Sequence, residues 1–337
     1  MPSHLIFPIN ESSQVGEARR MASRIAEQAG FGENDRGKVA IVATELATNL
    51  VKHARQGRIL LRSFRSAAES IVEILSIDSN PGKADFAACL ADGYSTAGTP
   101  GNGLGAVKRL SRTFDFYSGP GNGTVILSQI APGEFKDTQP SRSHFEWCAL
   151  TVAAPGETVC GDACGVEVRE GQLRLMIADG LGHGPGAAEA SEKACDVFTQ
   201  MNSFTPRALI ELSHRSLMGT RGAALAAASA DANSQDLEFA GVGNISASLQ
   251  SLTGSRGLMS YNGTLGAQFR SVRQLTYQWA KDSILVLHSD GIKTHWSLTD
   301  NPGLFHCHPA VIAAVLLRDQ CRGRDDASIV VVRRKSA

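Results

Sequence analysis

Neither sign of charge predominates in the 337-residue sequence, in which lysine plus arginine and aspartate plus glutamate number 33 each. Such a balance leaves no electrostatic footprint for nucleic acid or for an anionic membrane surface, and neither is expected as a partner. No apolar run is long enough to span a bilayer and no charged-then-apolar leader opens the chain, so a cytoplasmic location is expected. The seven cysteines are odd in number and scattered, which argues against a disulfide framework and fits a reducing compartment. Cys160 and Cys164 lie close together and Phe305-His306-Cys307-His308 resembles a metal tract, but no second pair completes a zinc site at usual spacing. Internal repeats and low-complexity segments are also missing. What remains is an ordinary globular composition, 42% hydrophobic and 20% charged, with a length that suits two domains or one large one.

Up to about residue 130, helical and strand patterns alternate. Val15, Ala18, Met21, Ala22 and Ile25 form one helical face, and a second helix over Glu33–Ala54 carries the stripe Val39, Val42, Leu46 and Leu50. Strands are expected near 58–65, 70–77, 114–118 and 124–130, with helices near 84–90 and from Gly101 to about Arg112. Three places hold the chemistry. Glu45, Asn49 and His53 recur every four residues, so they share a polar face of the long helix; a carboxylate one turn from an amide can orient water and help to coordinate magnesium. Asp78 ends an apolar strand, where a carboxylate can accept from an exocyclic amine such as that of adenine. Gly101-Asn102-Gly103-Leu104-Gly105 opens a helix whose bare amides and positive dipole end suit phosphate.

Residues 131–143, polar and with two prolines, read as a linker. Beyond it the pattern turns to many strands with a few grouped helices, the mark of a layered α+β domain. Helices are expected at 185–200, 206–217 and 309–317, and strands near 145–153, 166–169, 173–178, 223–230, 237–241, 246–252, 273–277, 283–289 and 327–333. Four aspartates stand at strand boundaries: Asp162, Asp179, Asp290 and Asp325. Any one fits a surface turn, but four together point to a cluster, since neighbouring carboxylates repel unless cations neutralise them. Two hard cations held by such oxygens can activate water and clamp a phosphoryl group, and an all-oxygen set suits magnesium or manganese.

Glu45-Leu46-Ala47-Thr48-Asn49, Asp78 to Gly82, Gly101 to Gly105 and Gly123-Thr124 stand in the order of the GHKL ATPase boxes, and residues 10–130 resemble the anti-sigma-factor serine kinases of the RsbW/RsbT type. The resemblance implies Mg-ATP as cofactor, with Asn49 on magnesium and Glu45 as general base or water-orienting group. It further implies Asp78 and Gly82 at adenine, Thr124 behind that site, and Asn102, Gly103, Leu104 and Gly105 against the phosphates. Asn80 stands where that pattern often has glycine, and asparagine tolerates the positive φ that such a turn can need. Ala178-Asp179-Gly180-x-Gly182-His183-Gly184, Ser289-Asp290-Gly291 and Asp325-Asp326-Ala327-Ser328 resemble the metal-dependent (PPM-type) protein phosphatases in their SpoIIE/RsbX-like branch. That resemblance implies that Asp162 and Asp179 bridge two Mg2+ or Mn2+ ions and that Asp290, Asp325 and the Gly180 carbonyl complete the ligands. His183 could protonate a leaving serine oxygen, and Asn244 could touch substrate.

The fold class expected is therefore α+β, with an N-terminal GHKL α/β sandwich over 1–130, a linker over 131–143 and a PPM-type α-β-β-α sandwich over 144–337. The resemblances imply a bifunctional partner-switching enzyme that acts on a STAS-domain anti-sigma-factor antagonist, with a sigma factor or anti-sigma factor as further candidates and homodimerisation left open. The alternative is a phosphatase governed by an ATP-sensing or protein-docking GHKL domain without kinase chemistry.

Overall fold

The computed structural model describes residues 1–54, 56–66, 69–80, 103–119, 123–133 and 143–335. Internal contacts divide the chain into two units: Pro2–Pro140 with Pro302–Cys307, and Met1 with Ser141–Asn301 and His308–Ala337. The helix expected near 84–90, Gly82, Asn102 and most of the linker lie outside the described residues.

The first unit is one antiparallel sheet with helices packed on a face. Its strands are β1 (Leu5–Ile9), β2 (Gly57–Ser66), β3 (Glu69–Asp78), β4 (Thr113–Gly119) and β5 (Gly123–Ile130), in the order β1-β2-β3-β5-β4. Helices α1 (Ser12–Gln28) and α2 (Glu33–His53) supply Ala18, Ala22, Ile25, Val39, Val42, Leu46 and Leu50 to a core closed by Ile59, Leu61, Val72, Ile74 and Ile126. The strand residues alternate at a spacing of two and the helix residues recur at three or four, so each element turns one apolar face inward. Full burial of each large aliphatic side chain is worth roughly 2 kcal/mol. The Gln14 side chain accepts from the Glu11 amide at 3.1 Å and caps α1, and α3 (Gly103–Leu110) packs against α2. Strand β1 was not expected, because five residues with Leu5 exposed give too short a period to recognise.

One polar cluster lies inside this unit. Glu73, fully buried on β3, accepts from Arg62 at 2.8 Å and Gln129 at 2.7 Å and lies 3.1 Å from His4 Nε2. Arg62 sits on β2 and Gln129 on β5, so the sheet brings all the partners to one point.

The second unit stacks two antiparallel sheets between helices. One runs β13-β10-β9-β8-β7, built from β7 (Asp162–Arg169), β8 (Gln172–Gly180), β9 (Ala223–Asp231), β10 (Asp236–Val242) and β13 (Leu275–Gln278). The other runs β12-β11-β14-β15-β6, built from β6 (Phe145–Val152), β11 (Ser246–Ser251), β12 (Gly254–Gly257), β14 (Ile284–His288) and β15 (Ala327–Arg334). Leu173, Leu175, Ile177 and Ala226 of the first sheet meet Ala149, Leu285, Leu287 and Val330 of the second. On the outer face of the first sheet, Met176, Ala178 and Leu225 pack under α4 (Pro185–Gln200) and α5 (Pro206–Ser216). Helix α6 (Pro309–Gln320) packs on β6 and β15, with Pro309–Leu317 wholly buried. The layering is α-β-β-α. No described helix is long and apolar enough to cross a membrane.

Candidate functional site

In the second unit, the aspartates are brought together by strand register. Strand β7 begins at Asp162, four residues earlier than expected, and Asp162 pairs directly with Asp179 of β8. Like charges placed opposite one another on adjacent strands repel, and here Asp162 is also withdrawn from water while Asp179 is half-buried. Burial raises both carboxyls above the ordinary aspartate range; the charge of Asp162 raises Asp179 further, and Asp326 and Asp290 act the same way on Asp162. Asp162 is offset by the Ser328 hydroxyl, which donates to its Oδ2 at 2.7 Å, and by Ser289.

Asp290 and Asp325 approach from the other sheet. Asp290 follows β14, and Asp325 precedes β15. With Asp179 they line a cavity of about 500 Å³ whose other walls are Leu181, Gly182, Ala224, Gly243, Asn244, Asn262, Gly263 and Thr264. Two glycines let these loops close in. A Cβ on Gly180 would fall on the Ala187 carbonyl at the start of α4, and one on Gly291 would fall on the Asp326 carbonyl. Adjacent in sequence, Asp325 and Asp326 have separate tasks. Asp325 faces the cavity, while Asp326 is 3% exposed and accepts the Ala154 amide at 2.8 Å.

The donor chemistry fits hard divalent cations. The groups at this end of the unit are carboxylates, one deeply buried and all repelling, with no described histidine or cysteine lining the cavity. The acids surround a space rather than closing on a point: among the described residues no three His, Cys, Asp or Glu side chains already converge at ligation spacing. His183 is exposed on the loop before α4, with Nδ1 at 2.7 Å from Glu157 Oε1, and does not line the cavity. Cys160 is buried and its Sγ donates to the Val152 carbonyl; burial and the charges of Asp162 and Asp326 push the thiol far up, so it is inert. Sequence reasoning placed Ser289 and Ser328 in motifs without foreseeing their bonds to Asp162, and it missed Asn262 and Thr264, which lie between β12 and β13 and carry no local signal.

In the first unit, α2 carries Glu45 and Asn49 half-buried on one face. A Cβ on Gly103 would lie 2.6 Å from Glu45 Oε2, so the carboxylate reaches the first residue of α3. Leu104 is half-buried and Gly105 buried in the same first turn. Asp78 pairs with Thr124 across β3 and β5, and the Thr124 hydroxyl is 3.0 Å from that of Ser118. Gly123, at φ 80°, is required because a side chain would strike the Asp78 carbonyl. Asn80 does not use a positive φ; among described non-glycine residues only Glu170 has one. Its amide donates to the His53 carbonyl at 2.5 Å while its backbone N–H donates to Asp78 Oδ1 at 2.8 Å, so the residue ties the loop to the end of α2.

Comparison with known proteins agrees with this division. The histidine kinase-like ATPase domain matches residues 8–129, and Stage II sporulation protein E (SpoIIE) matches residues 169–335. The serine/threonine-protein kinase RsbT of Bacillus subtilis (strain 168) is 34% identical over 109 residues, 32% of this chain and 82% of the relative. The phosphoserine phosphatase RsbX of the same strain is 24% identical over 150 residues, 44% of this chain and 75% of the relative. A crystal structure of RsbX in complex with magnesium covers 58% of this chain and 98% of its own at 20% identity, with a TM-score of 0.50, a likeness of fold.

Proposed function

Because the chain belongs to the histidine kinase-like ATPases of the RsbT kind through its first unit and to the SpoIIE-type protein phosphatases through its second, we propose that it is a bifunctional partner-switching enzyme. It is a metal-dependent protein serine/threonine phosphatase, and its substrate in this reading is a STAS-domain anti-sigma-factor antagonist carrying phosphoserine or phosphothreonine. The first unit would phosphorylate the same or a related protein with Mg-ATP.

The observation that carries the phosphatase is the facing pair Asp162–Asp179 beside a cavity shared with Asp290 and Asp325. Asp162 and Asp179 would hold both ions between them, with Asp290, Asp325 and the Gly180 carbonyl as further ligands. Magnesium or manganese bound there would supply Lewis acidity toward the phosphoryl group and a water of lowered pKa. The chain itself excludes bulk water from Asp162 and orients its carboxylate through Ser328. The walls at Gly182, Asn262, Gly263 and Thr264 leave room for the phosphorylated side chain. In the first unit, Asn49 would hold magnesium, Glu45 would take the proton of the substrate hydroxyl, and Asp78 and Thr124 would receive adenine. The first turn of α3, from Gly103, offers its amides to the phosphates.

The test is phosphate release from a phosphorylated STAS-domain protein by the full chain with Mg2+ or Mn2+. Wild type should release phosphate and Asp179→Asn should not; release by Asp179→Asn at the wild-type rate would defeat the phosphatase reading. The kinase is tested separately with [γ-32P]ATP and the unphosphorylated protein. Loss of transfer in Glu45→Ala supports it. No transfer by the wild type, with ATP binding intact, makes the first unit a sensor; no ATP binding makes it a docking domain.

A further inference from the structure

Asn244 and Asp290 lie just beyond the end of one antiparallel ladder. Ser246 of β11 pairs with His288 of β14 as its last rung, and the side chains two residues outside each strand meet. The Asn244 Nδ2 donates to Asp290 Oδ2 at 2.7 Å. Asn244 lies in the turn where the chain passes from β10 in one sheet to β11 in the other, and that turn is held firmly. Gly243, at φ 94°, donates its N–H to the Tyr261 carbonyl at 2.8 Å, and a Cβ there would collide with Ala224 of β9. Ile245 on the other side is buried in the core between the sheets. A Gly-Asn pair is ordinary turn chemistry, in which the side chain bonds to its own backbone or to water. Here it reaches instead across 46 residues of sequence to a carboxylate on the cavity wall.

We infer that Asn244 is a positioning residue that holds the Asp290 carboxylate as a cation ligand; the inference rests on the phosphatase reading above. A neutral amide suits this role on three counts. It donates to a carboxylate, which is acceptor-only when ionised, and so fixes that side chain's orientation on the cavity wall. It engages Oδ2 and leaves Oδ1 for a cation. It adds no charge of its own, whereas a lysine or arginine there would compete with the ion. Partners that orient a metal-ligating carboxylate typically change metal affinity 10–100-fold when removed.

The experiment is calorimetric titration of the full chain with Mn2+ in the absence of substrate, alongside thermal melts of the metal-free protein. Wild type should bind Mn2+. Asn244→Ala should weaken at least one binding step about tenfold while the metal-free melting temperature holds. Asn244→Ser, a residue at home in turns whose hydroxyl is too short to span the gap, should show the same loss and stands in if alanine disturbs the turn. Steady-state kinetics at saturating Mn2+ separates the remaining role. Unchanged Mn2+ affinity in both variants overturns the inference, and unchanged affinity with a raised KM assigns Asn244 to the substrate instead. Failure of the wild type to bind Mn2+ overturns the phosphatase reading along with it, so the two failures are told apart.

Discussion

Asp162 and Asp179 face each other across β7 and β8, a buried acid and a half-buried one at the same rung of one ladder. Their carboxyls are raised from the ordinary value of 3.8, chiefly by burial, so the folded second unit binds protons that the unfolded chain has released. The sign follows from linkage: stability is fully present below pH 3.8 with respect to these groups and is lost as pH rises through the raised folded values. Thermal melts in EDTA should therefore show the second unit falling in stability from mildly acidic to mildly alkaline buffer, and added Mg2+ should reverse the fall. Asp179→Asn, which removes the repulsion, should raise the metal-free melting temperature at alkaline pH by roughly 3 °C and make it insensitive to Mg2+. Equal melting of wild type and variant in EDTA would rule the repulsion out.

The Ser328 hydroxyl donates to Asp162, and both residues are buried. Removing a hydrogen bond to a buried charged group costs about 2 kcal/mol. Ser328→Ala should accordingly reduce denaturant stability by that amount in the metal-loaded protein, and lower Mg2+ affinity, read by calorimetry. Ser328→Thr should retain both.

Glu73 ties Arg62, Gln129 and His4 together inside the first unit. Burial alone would raise its carboxyl, but the charge of Arg62 and the hydrogen bonds from His4 and Gln129 outweigh it and hold the group far below its ordinary 4.5. A depressed acid contributes stability that is present above pH 4.5 and is lost as pH falls toward the folded value. Acid titration followed by circular dichroism should show that loss beginning below pH 4.5. Glu73→Gln should cost about 3 kcal/mol at neutral pH by leaving Arg62 buried and uncompensated, and should flatten the acid limb.

Asn80 anchors the loop after β3 to the His53 carbonyl. With the adenine site proposed beside it, Asn80→Ala should weaken Mg-ATP binding about fivefold by calorimetry, the worth of one hydrogen bond. Asn49→Ala should abolish binding. Tighter binding by Asn80→Gly than by the wild type would mean that the loop needs backbone freedom more than it needs the tether.

The sequence by itself determined the order of the two units, the helices that begin at Glu33, Pro185, Pro206 and Pro309, and the strand ends that carry Asp78, Asp179, Asp290 and Asp325. Those features are local: a period of two or 3.6, a glycine after a carboxylate and a proline in a first helical turn are written in neighbouring residues. Register is not local. A slip of one residue between β7 and β8 would turn Asp162 away from Asp179, and nothing within either strand forbids it; the packing of Ile177 and Leu175 against the second sheet does. The same holds for Asp325 and Asp326, neighbours of one type that only the closing of β15 onto β6 sends to different tasks. Asn244 is the clearest case. In sequence it is a turn residue, and its carboxylate partner exists only once β11 has paired with β14.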